Sequence, residues 1–136
     1  MNAIHEWEEA RKWLRYATED LETAEGLLHS DGFARHICWH AQQSAEKSLK
    51  SILVFLQVSF PRSHDLEALR NLVPAGWAAT VQAMDLSGLT EWAVESRYPG
   101  DWPEATEEDA TSAVSQAREV YRNVVDDFAS RGYREH

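Results

Sequence analysis

Three long stretches whose apolar residues recur at steps of three and four, separated by breaks bearing glycine or proline, constrain this chain more than any other feature. The second is the clearest. From about Phe33 to Leu56, residues Ile37, Ala41, Ala45, Leu49, Ile52 and Leu56 share one face of a 3.6-residue helix, and the alanines allow a neighbouring helix to approach closely. Its last turns, Ile52 to Leu56, are apolar all round, which places that end deep in a core or under a partner. The first stretch runs from about Trp7 to Leu28 on a stripe of Trp13, Ala17, Leu21, Ala24 and Leu28, and Ser30-Asp31-Gly32 ends it. The last opens on a capping-box spacing at Thr106 to Asp109 and carries Ala110, Ala113, Ala117, Tyr121, Val124 and Phe128 on one face before Gly132.

The segment between the second and last helices is more punctuated. Phe60-Pro61-Arg62 breaks the second helix, and Ser63 is the expected N-cap of a short helix from Asp65 to about Leu72, closed by Pro74-Ala75-Gly76. From Trp77 to Ser96 the pattern predicts irregular helix, interrupted at Ser87-Gly88 and firmer through Leu89, Trp92 and Ala93. Arg97 to Pro103 holds two prolines and a glycine and is expected to be an ordered-looking loop. The fold class expected is therefore all-α, an up-and-down bundle of four to five helices forming one domain over residues 1–136.

A hydrophobic share of 43% in 136 residues suffices for one core without disulfides or a metal, and the single cysteine, Cys38, excludes an intrachain disulfide. No segment has the build of a signal peptide or the length of a membrane span, so the expected setting is cytoplasmic with no membrane. A net charge of −10 repels polyanions at long range, so DNA is not an expected partner, while a local basic pocket for RNA or a nucleotide stays open. The apolar end of the second helix and the six tryptophans point to a homodimer.

Chemistry concentrates on the second helix. Gln42, Gln43, Glu46 and Lys50 form a polar stripe beside the apolar one. On spacing alone it is a solvated face with a Glu46–Lys50 ion pair worth about 0.2–0.5 kcal/mol. The run from Ala41 to Lys50 (AQQSAEKSLK) and the following Ser63-His64-Asp65-Leu66 give it another meaning. With Ala17-Thr18-Glu19-Asp20-Leu21 before them and Ser96-Arg97-Tyr98-Pro99 after them, they resemble in type and order the signature of the HEPN family, the "higher eukaryotes and prokaryotes nucleotide-binding" helical bundle.

That resemblance implies a bundle that is commonly a homodimer and is often encoded beside a minimal nucleotidyltransferase, for which it was proposed as substrate-binding partner. It places ligand-binding groups at Gln43, Glu46, Lys50, Arg97 and Tyr98, with Asp20 and His64 as accessories. His64 can otherwise serve to pack or cap at the helix entry, and Arg97 to pin its loop to Glu46 or Asp20. Other branches of the family are metal-independent ribonucleases, including toxins of toxin–antitoxin pairs, whose motif is an arginine followed after four to six residues by a histidine. Arg97 matches that arginine, yet Trp102, Pro103 and Glu104 supply no histidine, so no catalytic residue is assigned. The spacing recurs at Arg35…His40 and Arg131…His136, but ten arginines and six histidines give about one such pair by chance. His36 and His40, one turn apart, lack further metal ligands, and no phosphate loop or dinucleotide fingerprint occurs, so neither metal nor cofactor is expected. The expected function is a non-catalytic nucleotide- or RNA-binding module. A ribonuclease toxin and a bare interaction scaffold are the alternatives.

Overall fold

The computed structural model describes residues 3–93 and 104–134. Three long helices carry the fold: α1 (Ile4–His29), α2 (Ala34–Phe55) and α6 (Glu107–Ser130). Between α2 and α6 lie three short ones, α3 (Leu66–Leu72), α4 (Ala79–Gln82) and α5 (Ser87–Thr90), the last continuing as a 3-10 turn over Glu91–Ala93. No strand occurs among the described residues.

Helices α1 and α2 form an antiparallel hairpin joined by a tight turn. The backbone N–H groups of Ser30 and Gly32 return to the carbonyl of Leu27, and Asp31 takes a left-handed φ of 60°. Gly32 is required there by close approach, because a Cβ would lie 2.8 Å from the Cβ of Leu27. Down the interface Ala10, Leu14, Ala17, Leu21 and Ala24 meet Ile37, Ala41, Ala45, Leu49 and Ile52, all buried. Leu14 takes the core position that spacing gives to Trp13, which is only half-buried and turns toward Phe60. Ser44 Oγ donates to the Ala17 carbonyl across the interface at 2.8 Å, a bond that requires small residues on both helices.

The return stroke is made by the short helices. Asp65, rather than Ser63, is the N-cap of α3: its carboxylate accepts from Glu67 N at 3.0 Å and Ala68 N at 3.2 Å, while Ser63 Oγ accepts from Asp65 N. Arg70 holds the next segment by donating to the carbonyls of Val81 and Met84. The chain then climbs along α6, from the Ala78 N–H on the Asp127 carboxylate to the Asp85 carbonyl, which accepts from Gln116 Nε2. Helix α6 starts with the expected capping box between Thr106 and Asp109 and packs Val114, Ala117, Val120, Val124 and Phe128 on the hairpin. Tyr121 is half-buried, its hydroxyl 2.6 Å from Thr18 Oγ1.

One end of the bundle is aromatic. Phe55 lies 5.0–5.7 Å from the rings of Trp77, Phe128 and Tyr133, and Trp7 lies 5.1 Å from Phe128. The all-apolar end of α2 is thus covered by the bundle's own rings, and Ile52 and Leu53 are completely buried. No described helix is long and apolar enough to cross a membrane.

Candidate functional site

The polar stripe of α2 is not a solvated face. Gln42, Gln43, Glu46 and Lys50 are all buried, and spacing alone misreads them because it cannot see what α1 and the loop after α2 lay over that side. A buried carboxylate must be compensated, and Glu46, 4% exposed, is met on three sides. Lys50 Nζ donates to Oε2 at 2.9 Å, His64 Nδ1 to Oε1 at 2.8 Å, and Gln42 Nε2 reaches Oε1 at 3.3 Å. Gln42 also donates to the His64 carbonyl at 2.9 Å, and Gln43 Nε2 donates to Gln42 Oε1 at 2.8 Å.

The loop after α2 is therefore tied to the helix through His64 at both backbone and ring. The Lys50 ammonium lies 5.7 Å from the Trp13 ring and 5.5 Å from that of Phe60, and these two rings meet edge-on at 6.3 Å. Two aromatic faces thus replace part of the hydration that burial takes from the cation. An ionised carboxylate only accepts, so His64 Nδ1 carries the proton and Nε2 is the nitrogen left open. Its side chain is 51% exposed, which makes it the outward-facing member of the cluster.

Asp20, on α1, belongs to a second cluster. Its Oδ1 takes His40 Nδ1 at 2.9 Å and its Oδ2 takes Lys47 Nζ at 2.6 Å. The structure thus brings Gln43, Glu46, Lys50 and His64 together and sets Asp20 apart with two residues, His40 and Lys47, that sequence reasoning did not assign to a ligand site. Their signal was faint: a lysine one residue after Glu46 and a histidine six before Glu46 reveal a shared carboxylate only once the α1–α2 register is known. Arg97 and Tyr98, and the proposed pinning of Arg97 to Glu46 or Asp20, lie outside the described residues.

The remaining histidine patterns resolve differently. His36 Nε2 faces Arg35 at 3.5 Å, while His40 is held by Asp20, and no group of three or more metal-capable side chains occurs among the described residues. Arg131 donates to the carbonyls of Gly76 and Asp127 and stacks 3.7 Å over Trp77, a latch on the C-terminal end of α6. His136 lies outside the described residues.

The geometry defines a class: an all-α bundle in which the central helix and the loop after it build a buried, carboxylate-centred polar cluster with an exposed imidazole. The chain belongs to the HEPN domain family, which matches residues 10–127. It is 27% identical over 139 aligned residues to a candidate toxin of Methanocaldococcus jannaschii, covering 91% of this chain and 90% of that one. A solved structure from Thermus thermophilus is similar with a TM-score of 0.69 and 25% identity, over 87% of this chain and 97% of the other. An archaeal HEPN homologue of known structure is similar with a TM-score of 0.65 and 28% identity, over 85% of this chain and 93% of the other.

Proposed function

We propose that this HEPN domain is a cytoplasmic nucleotide- or RNA-binding module, homodimeric and without catalysis of its own, that acts with a minimal nucleotidyltransferase partner. The observation that carries the reading is the Glu46 cluster. Folding does not require it, since a buried ion pair is often no more stabilising than apolar residues of the same volume. The chain nevertheless places an ammonium, a carboxylate, two amides and an imidazole under one patch of surface and leaves His64 facing out. Gln43, Glu46, Lys50 and His64 are the proposed ligand-facing group, with Arg97 and Tyr98 supplying a phosphate fork and a stacking ring from the loop.

Calorimetric titration with AMP, ATP and a short single-stranded RNA tests this. His64→Ala removes one of the bonds to Glu46 and is expected to lower the melting temperature somewhat, so the expected result is binding lost at a temperature where that variant is still fully folded. Absence of binding by the wild-type protein to all three overturns it. The partner is tested separately, by co-purification with a protein from a neighbouring reading frame that carries a Gly-Ser plus paired-aspartate nucleotidyltransferase signature.

One observation favours a second reading, a ribonuclease toxin neutralised by that same partner: the M. jannaschii relative is a candidate toxin. Growth arrest on expression, relieved by the neighbouring frame, would support this reading over the first.

A further inference from the structure

The Asp20–His40–Lys47 cluster lies outside the proposed Glu46 site, and its chemistry is incompletely used. Asp20 is 9% exposed and both its oxygens are occupied, one by an imidazole and one by an ammonium. An interhelical clamp needs only one of these contacts. Because Asp20 accepts at Nδ1, the His40 ring is fixed with Nε2 outward, and Lys47 keeps two further N–H donors. Neither group has another hydrogen-bond partner among the described residues, and both side chains are about a quarter exposed, at 26% and 25%. Trp39, 36% exposed, stands edge-on to His40 at 5.1 Å.

Along α2 and the loop after it the charge runs against the chain's net −10, while α1 adds Glu19 and Glu22 near Asp20 in sequence. Between Gly32 and His64 the only acidic residue is Glu46, against Arg35, Lys47, Lys50 and Arg62, and Glu46 is compensated by Lys50 and His64. Asp20 holds an ammonium and an imidazole on one carboxylate while its own charge is spent on Lys47; the ammonium donates to a phosphate oxygen, and Nε2 accepts from the P–OH of a singly ionised monoester or, on a protonated ring, donates to its oxygen. A tetrahedral oxyanion with several acceptors fits an ammonium beside an imidazole, and an exposed indole next to them offers a face to a base.

We propose that Asp20, His40, Lys47 and Trp39 form a subsite for a terminal phosphate monoester of a nucleotide or RNA strand, in which Lys47 and His40 hold the phosphate, Asp20 positions both, and Trp39 stacks the adjoining base. This deepens the nucleotide- or RNA-binding reading and rests on it. Two sources share the chemistry, a free mononucleotide and the phosphorylated end of an RNA.

Fluorescence anisotropy of a 3′-labelled hexauridylate, with either a 5′-phosphate or a 5′-hydroxyl, and with AMP as competitor, separates the outcomes. The phosphorylated strand is expected to bind about tenfold or more tighter than the hydroxyl form, the scale of one charged hydrogen bond. Lys47→Gln and His40→Ala should erase that preference, Lys47→Arg should keep it, and Arg122→Ala on α6 should not touch it. Competition by AMP as effective as that of the unlabelled phosphorylated strand assigns the subsite to mononucleotides; weak competition assigns it to RNA ends, and either supports the proposal. If the two strands bind equally and Lys47→Gln lowers only the melting temperature, the cluster is a clamp and the proposal is overturned, while binding that still depends on His64 leaves the broader reading intact. If neither strand nor AMP binds, both readings fail together.

Discussion

Glu46 and Lys50 are a buried pair whose removal one at a time and together should give opposite results. Taking away the carboxylate strands an ammonium that is 11% exposed between two rings, so Glu46→Ala is expected to destabilise by about 3–5 kcal/mol. Replacing both, as Glu46→Leu with Lys50→Met, removes two charges and should recover most of the loss. Urea unfolding of the three proteins checks this, and a double variant no more stable than Glu46→Ala would show that the pair itself holds the fold. Four members of the cluster, Gln42, Gln43, Glu46 and Lys50, were legible from their helical spacing combined with the family signature. Their burial was not, because helical periodicity reports which residues share a face and not what is laid over it. The Asp20 contacts were less legible still, since they span 20 and 27 residues and depend on the register between two helices.

At the scale of elements, the turn between α1 and α2 and the short helix α5 make a matched pair of glycine tests. Adding a methyl group at Gly32 drives it against the Leu27 side chain and carbonyl at 2.8–3.0 Å, so Gly32→Ala is expected to destabilise by about 1–3 kcal/mol. Gly88, inside α5, has nothing within 4 Å of such a Cβ, and Gly88→Ala is expected to stabilise by about 0.4–1 kcal/mol by restricting the unfolded chain. Thermal melts of both variants suffice; a neutral Gly32→Ala would mean that the turn relaxes freely. The three long helices could be read from sequence because their information is local: an apolar period, a capping box at Thr106, and a glycine-bearing stop after α1. The climb through α3, α4 and α5 could be read only coarsely. Its course is set by tertiary bonds such as Arg70 to the carbonyls of Val81 and Met84 and Asp127 to the Ala78 N–H, which leave no periodic trace.

For the whole molecule, two expectations follow from what the bundle does and does not cover. The apolar end of α2 is largely covered by the rings of Trp77, Phe128 and Tyr133 packed around Phe55, so the proposed homodimer is expected to draw on other surface, and among the described residues Ile4, Tyr16, Phe33, Trp39 and Leu72 are the large apolar residues left exposed. Sedimentation at micromolar concentration is expected to show twice the 15.5 kDa chain mass, and a species at that mass alone would count against the dimer. The second expectation concerns RNA. Metal-independent cleavage needs one group to take the proton of the 2′-hydroxyl and another to protonate the departing 5′ oxygen, both close to one phosphate and both able to exchange a proton near neutrality. The ribonuclease branches of the family place an arginine and a histidine together for this, and after Arg97 the sequence offers tryptophan, proline and glutamate where the histidine would stand. His40 and His64 are each oriented through Nδ1 by a different carboxylate, Asp20 on α1 for one and Glu46 on α2 for the other, so each serves its own cluster rather than a shared base–acid pair. Purified protein is therefore expected to leave both structured and unstructured RNA intact in the presence of a chelator, as resolved on denaturing gels. Cleavage that vanishes in His40→Ala or His64→Ala would reverse this and establish the toxin reading, with the carboxylate-held histidine as its base.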